Sequence, residues 1–195
     1  MPVRDLLLPE LELEAAFTRK HLERVPMESL GFKPHSKSMT LGELSTFLAV
    51  IPTWGQFALT TESLDVAPGG EPLPQQEVVR SQQELLQMFD TNMLGLRAAL
   101  GKASDPHLQK PWSLFANGSA LFTQPRYLIY RTLFLNHMIH HRAQLGTYFR
   151  LLGVRVPAVY NDSGDEKGGM FMEGAQGAQG AQGAQGAQGA QGTVP

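Results

Sequence analysis

Cysteine is absent from the 195 residues of this sequence, which excludes disulfides and a thiol nucleophile. Any thiol chemistry would need a thiol supplied by a substrate, and a reducing cytoplasm is the expected location. An excess of basic residues is also lacking, since 16 Lys and Arg stand against 18 Asp and Glu. Nucleic-acid-binding surfaces are basic, so the composition argues against a nucleic acid as partner.

Long hydrophobic runs are missing as well. No apolar run approaches the roughly 20 residues that a membrane-spanning helix needs, so we expect no membrane partner. From Gly174 the chain repeats Gly-Ala-Gln six times and contains no large apolar side chain in those repeats. Glycine at every third position is also found in collagen, but these triplets contain no proline. We predict one domain over residues 1–166 and a disordered tail over residues 167–195.

Four segments carry apolar residues at the three- and four-residue spacing of amphipathic helices. The first helix is predicted from about Pro9 to Arg24. The second begins at Thr40, where Glu43 completes the spacing of a capping box. Pro52 lies within the second pattern and is expected to kink or break it. The third helix is predicted from about Gln75 to Leu100.

The fourth helical segment has the clearest boundaries. Thr123 is a candidate N-cap, Pro125 suits the first turn, and the pattern continues to Leu152. Between the third and fourth helices, the pair Asn117-Gly118 is flanked by apolar residues, which is a strong signal for a hairpin. We therefore predict an all-α fold, an antiparallel four-helix bundle with a small hairpin between its third and fourth helices.

Two histidines lie on the predicted inner face of the fourth helix. His137 and His141 are four residues apart, so their imidazoles lie about one turn apart on one helical face. That spacing suits the coordination of one divalent metal, although histidines on an apolar face can also be ordinary core residues. Zinc needs three or four ligands and nickel often more, so a metal site would require a further donor from elsewhere in the chain.

The run from Asn136 to Leu145, Asn-His-Met-Ile-His-His-Arg-Ala-Gln-Leu, resembles the last helix of the DinB-like proteins. The run from Lys33 to Leu44 resembles the entry into the second helix of that family, and the likeness covers roughly residues 4–166. The resemblance implies a four-helix bundle, commonly a homodimer, with nickel or zinc on three histidines in many members. Characterised relatives include thiol S-transferases and a mycothiol-dependent isomerase.

Taken residue by residue, the resemblance assigns two metal ligands to His137 and His141. The third is expected on the second helix, where relatives typically read Ala-Thr-His and this sequence reads Ser-Thr-Phe47. A phenyl ring has no lone pair to donate, so Phe47 occupies the position of the missing ligand and metal binding is expected to be weak. Arg142 beside the histidine pair is a candidate for binding an anionic group of a substrate.

Other side chains could supply the missing ligand. Glu43 lies one turn before Phe47, although the helix cap competes for its carboxylate, and the sequence does not place His21 or His35. Two hypotheses follow. In the first, a degenerate family member with weak or no catalysis binds a small, apolar ligand. In the second, a divalent metal supports a transferase or isomerase that uses a low-molecular-weight thiol.

Overall fold

The computed structural model describes residues 1–74 and 76–168. The chain divides after Val154 into two units, and the described part of the second covers residues 155–168. The predicted disordered tail lies, from residue 169 onward, outside the described residues. No helix in the described ranges is long and apolar enough to cross a membrane.

The first three helices follow the predicted boundaries only in part. Helix α1 spans Arg4–Leu22 and contains Pro9, so it begins earlier than predicted and lacks one backbone bond at the proline. Helix α2 spans Leu41–Val50 and carries the predicted capping box: the Glu43 amide donates to the Thr40 hydroxyl (3.1 Å) and the Thr40 amide donates to the Glu43 carboxylate (2.7 Å). Helix α3 (Pro52–Thr60) begins at the proline, which confirms the predicted break.

Helix α4 (Gln82–Lys102) packs against α1, α2 and α3. It begins later than predicted because Ser81 caps it, with the Glu84 amide donating to the Ser81 hydroxyl over 3.2 Å. A short helix α5 (Asp105–Gln109) follows.

A three-stranded sheet lies beside the helices. Strands β2 (Pro111–Ala116) and β3 (Ser119–Pro125) form an antiparallel hairpin around Asn117 and Gly118, both of which have positive φ. Strand β1 (Ser63–Asp65) pairs with β2 in parallel. The sheet is therefore mixed, and its middle strand is β2.

The predicted all-α four-helix bundle is wrong, because the fold combines dominant helices with this mixed sheet. Strand β1 was not predicted, because it has only three residues, too few to show a periodicity, and its partner lies about 50 residues away. Thr123, the predicted cap of the last helix, lies in β3, where its hydroxyl is 2.7 Å from that of Ser113.

The last helical segment has three parts. Helix α6 (Arg126–Ile129) passes into a π-helical turn (Tyr130–Leu135), which continues directly as α7 (Asn136–Leu151). Helix α7 packs against α1 and α2. A π-helical turn holds one more residue than an α-turn and is often found near functional sites.

A small apolar cluster joins the sheet to α3 and α6. Trp112 and Leu114 of β2 pack there with Ala58 and Ile129, and all four are buried. The helices enclose further buried side chains, among them Leu11, Leu44, Leu48, Phe89, Leu96 and Phe149. Removing such side chains from water stabilises the fold by about 1.5–3 kcal/mol each relative to leaving them exposed.

In the second unit, three polar side chains bond to the backbone of residues 156 and 158. The Val156 amide donates to the Asp165 carboxylate over 2.7 Å, and the Ala158 amide donates to the Glu166 carboxylate over 3.0 Å. The Ser163 hydroxyl donates to the Val156 carbonyl over 2.7 Å.

Candidate functional site

The structure brings Phe47, His137 and His141 together where α2 packs on α7. The Nε2 atoms of the two histidines are 2.8 Å apart. The phenyl ring of Phe47 lies 5.4 Å from the His137 ring and 4.8 Å from the His141 ring, centroid to centroid, edge-on to both. All three side chains are half-buried, so the cluster forms part of a wall that solvent or a ligand can reach.

Buried neighbours on each helix hold this cluster in place. Leu44 and Leu48 lie on either side of Phe47 on α2 and are fully buried, as are Met138 and Leu145 on α7. Helical spacing then directs residue 47 toward the histidine pair at the edge of this core.

Each imidazole is also held at its outer edge. His137 bonds to the backbone of Leu133 within the π-helical turn, and the Nδ1 atom of His141 lies 2.8 Å from the Oε1 atom of Gln144. Such contacts fix the orientation of a histidine and leave Nε2 directed at its neighbour. Burial is the main cause that lowers the pKa of both histidines below its ordinary value of 6.5.

Two donors alone do not make a complete metal site. Two nitrogens bound at right angles to one ion at about 2.0–2.1 Å are about 2.9 Å apart, so the pair could face a single ion. The Phe47 ring, which has no lone pair to donate, lies beside the pair, and no group of three or more His, Asp or Glu side chains that could hold a metal ion is found within the described ranges. The residues present therefore do not fit a tightly held resident metal.

The other candidate ligands have different partners. The carboxylate of Glu43 accepts the Thr40 amide of the helix cap, which lowers its pKa. His21 is buried in α1, with Nδ1 2.8 Å from the Phe17 carbonyl oxygen. His35 is an exposed loop residue whose Nδ1 accepts the amide of residue 37 over 3.1 Å.

Arg142, the predicted contact for an anionic substrate, lies in the interface between α7 and α1. It is buried, and its Nη1 atom is 2.6 Å from a carboxylate oxygen of Glu14, which is also buried. Its guanidinium further lies 5.6 Å from the ring centroid of Phe17. These contacts are those of a buried structural ion pair between α7 and α1.

Two cavities adjoin the cluster. The larger, about 670 Å³, is here called the apolar cavity, and its walls include Phe47, Val50, Trp54, Phe57, Leu64 and Val66. The smaller, about 400 Å³, is called the polar cavity and contains His141, Gln144, Thr147 and Tyr148. Residues 37–39 line both cavities and form the wall that the two share.

Sequence reasoning missed this shared wall. Lys37, Ser38 and Met39 lie in the irregular segment before α2, which shows no periodicity that could indicate where its side chains point. The wall is attached to α7, because the hydroxyl of Tyr148 donates to the Met39 carbonyl over 2.9 Å. Only a contact between distant parts of the chain identifies these residues as part of the site.

The chain therefore combines a largely helical fold with a pair of histidines at the interface of two helices. The chain belongs to the DinB family, whose sequence profile matches residues 1–168. This confirms the family that the motifs indicated, whereas the replacement of a ligand by Phe47 stays an inference from the resemblance.

Two solved structures have the same fold. A DinB-like protein from Bacillus cereus superposes with a TM-score of 0.62 at 22% identity, covering 82% of this chain and 98% of its own. A DinB-like protein from Bacillus subtilis gives a TM-score of 0.59 at 16% identity, covering 78% of this chain and 95% of its own. At such low identity the likeness shows the fold alone. No curated protein matches the sequence.

Proposed function

We propose that this DinB-family protein binds a small organic ligand in the apolar cavity and holds no tightly bound metal. The observation that carries the proposal is the position of Phe47, whose ring stands 5.4 and 4.8 Å from the two imidazoles where a third ligand would be needed. The same ring forms a wall of the apolar cavity. Under this proposal, the side chain at position 47 supplies apolar surface to a ligand in place of a donor to a metal.

The size and lining of the apolar cavity support a small-molecule ligand. A volume of about 670 Å³ lies within the range of about 300–1,000 Å³ that is typical of small-molecule pockets. Its walls carry three aromatic side chains, Phe47, Trp54 and Phe57. Such walls favour a ligand with an apolar body, since burying apolar area drives its transfer from water.

Ligand binding is tested by filling the cavity. Val50 lines the apolar cavity from α2, and Val50→Trp would occupy volume that a ligand needs. With phenylbutanol as probe, we expect calorimetric titration to show binding to the parent protein and a loss of at least about tenfold in the variant, equivalent to about 1.4 kcal/mol. Leu94→Trp, on an exposed position of α4, is the matched control and should bind as the parent does. Equal binding by all three proteins would contradict the proposal.

Metal content tests the second part of the proposal. Protein purified without a histidine tag and equilibrated with Zn²⁺ or Ni²⁺ should retain far less than one ion per chain after gel filtration. Phe47→His should raise the retained metal toward one per chain, because it adds a third imidazole beside the pair. Phe57→His, which changes an exposed aromatic residue of the same cavity, should not. One retained ion per chain in the parent protein would overturn this part.

A thiol-dependent transferase or isomerase is the second candidate function. It is favoured by the 2.8 Å approach of the two Nε2 atoms and by the contacts that hold the outer edge of each ring. Consumption of glutathione by an added electrophile, faster with the parent protein and Zn²⁺ than with Zn²⁺ alone, would favour this function. No such acceleration by either the parent or Phe47→His would exclude it for this thiol.

A further inference from the structure

We infer that the ligand is an amphipathic carboxylate, with its apolar body in the apolar cavity and its carboxylate against Lys37. This inference rests on the proposed function and names the chemical class of the ligand. It depends on the charges and donors around the wall of residues 37–39, which the two cavities share.

Among the described residues, the lining of the polar cavity includes hydrogen-bond donors and no carboxylate. The ammonium group of Lys37, the amide of Gln144 and the hydroxyl of Ser38 can face a ligand there. Both nitrogens of His141 and the hydroxyl groups of Thr147 and Tyr148 already have partners within the chain. A group that accepts several hydrogen bonds and carries negative charge is complementary to this set. A cationic head group would instead meet the ammonium of Lys37 with no anion lining the cavity to offset the repulsion.

The ammonium of Lys37 is available to a ligand. Its side chain is exposed, and it takes part in none of the ion pairs found in the described ranges. Glu43 is the one carboxylate on the lining of the apolar cavity, and it accepts the Thr40 amide over 2.7 Å. Lys37 therefore lines both the apolar and the polar cavity, and none of the carboxylates in the described ranges forms an ion pair with it.

A single ammonium group favours a single negative charge on the ligand. Among the described residues that line the two cavities, Lys37 is the one basic side chain besides His141, and the one carboxylate, that of Glu43, already accepts the Thr40 amide. Dianionic phosphate is usually held by several cationic groups or by the fork of an arginine, and neither lining includes an arginine. A carboxylate needs only one ammonium group and neutral donors.

The test compares ligands that share one apolar body. Phenylbutyrate, phenylbutanol and phenylbutyl phosphate are titrated calorimetrically into the full chain and into Lys37→Met, which keeps an unbranched stem and removes the charge. We expect the carboxylate to bind the parent protein most tightly and Lys37→Met to weaken it by about fivefold, in the range of a partly exposed ion pair. Binding of phenylbutanol should not change.

Lys102→Met is the matched control, because Lys102 is an exposed lysine at the end of α4 that lines neither cavity. It should bind phenylbutyrate as the parent protein does. Three outcomes would overturn the inference and leave the proposed function standing. They are equal affinity of the parent protein for phenylbutyrate and phenylbutanol, an equal loss of phenylbutyrate affinity in both lysine variants, and tighter binding of phenylbutyl phosphate than of phenylbutyrate. Binding of none of the three compounds would instead count against the proposed function itself.

Discussion

At the scale of single residues, the contact of Phe47 with the two histidines was accessible from sequence and the surrounding polar contacts were not. The four-residue spacing of His137 and His141 depends only on helical geometry, and the family motif aligned position 47 with them. Gln144 lies three residues after His141 on the same helix, which is a local spacing, whereas Lys37 reaches the site from an irregular segment with no such pattern. The polar half of a site is harder to read from sequence because it depends on tertiary contacts.

Arg142 illustrates the same difficulty. Its place beside His141 in the sequence pointed to substrate, whereas one residue along a helix is a rotation of about 100°, which here directs it to α1. There its charge is balanced by Glu14, with both side chains nearly inaccessible to solvent.

Loss of one member of this buried pair should be costly. Arg142→Met leaves the Glu14 carboxylate without its guanidinium, and we expect the free energy of unfolding to fall by about 3 kcal/mol in urea titrations. The double variant Glu14→Leu with Arg142→Met removes both charges and should recover part of that loss. A single variant within about 0.5 kcal/mol of the parent protein would refute a stabilising role for the pair.

At the scale of elements, local signals located the cap of α2, the break at Pro52 and the hairpin of β2 and β3, but not the third strand of the sheet. The capping box at Thr40 and the break at Pro52 depend on neighbouring residues, and both were predicted correctly. Strand β1 and the π-helical turn were not predicted. The strand is stabilised by a partner about 50 residues away, and a π-helical turn has no simple sequence signature.

Asp65, at the end of β1, ties that strand to the hairpin turn. Its carboxylate accepts three backbone amides, those of Ala67 (2.9 Å), Gly118 (2.8 Å) and Asn117 (3.1 Å). These bonds, the one from Ala67 foremost, lower the pKa of the carboxyl below its ordinary value of 3.8. The ionised form is therefore more stable in the folded chain than in the unfolded one.

Asp65→Asn should destabilise the fold in a pH-dependent way. Because the folded pKa is lowered, the stabilising effect is fully present above pH 3.8 and is lost as the pH falls through the folded value. We expect a lower Tm for the variant at pH 7 and a difference that shrinks toward zero in strong acid. Asp5→Asn, near the exposed start of α1, serves as a control with little expected effect. A gap in Tm that is independent of pH would contradict this account.

At the scale of the whole molecule, the helical periodicity of four segments correctly indicated a mostly helical fold, and the motifs indicated the right family. The predicted architecture was wrong because it was inferred from the number of helices and one local hairpin, and it did not include the pairing of β1 with that hairpin. The connections between helices supply the strands of the sheet and the wall that the two cavities share.

A homodimer is the assembly that the family resemblance implies, and we retain it as a proposal. Light scattering after gel filtration should then give a mass of twice the 21.4 kDa chain. The mass should stay constant over a dilution series down to micromolar protein if the interface is extensive. A mass equal to that of one chain throughout the series would show that the protein is a monomer.

The bond from the Tyr148 hydroxyl to the Met39 carbonyl has a consequence for ligand specificity. It attaches the wall of residues 37–39 to α7. Because that wall lines both cavities, a shift that widens one cavity narrows the other. The head and the body of a ligand are thus selected jointly. A ligand with a larger polar group would need a smaller apolar body. Tyr148→Phe removes the bond that holds the wall and should broaden the range of ligand shapes that bind.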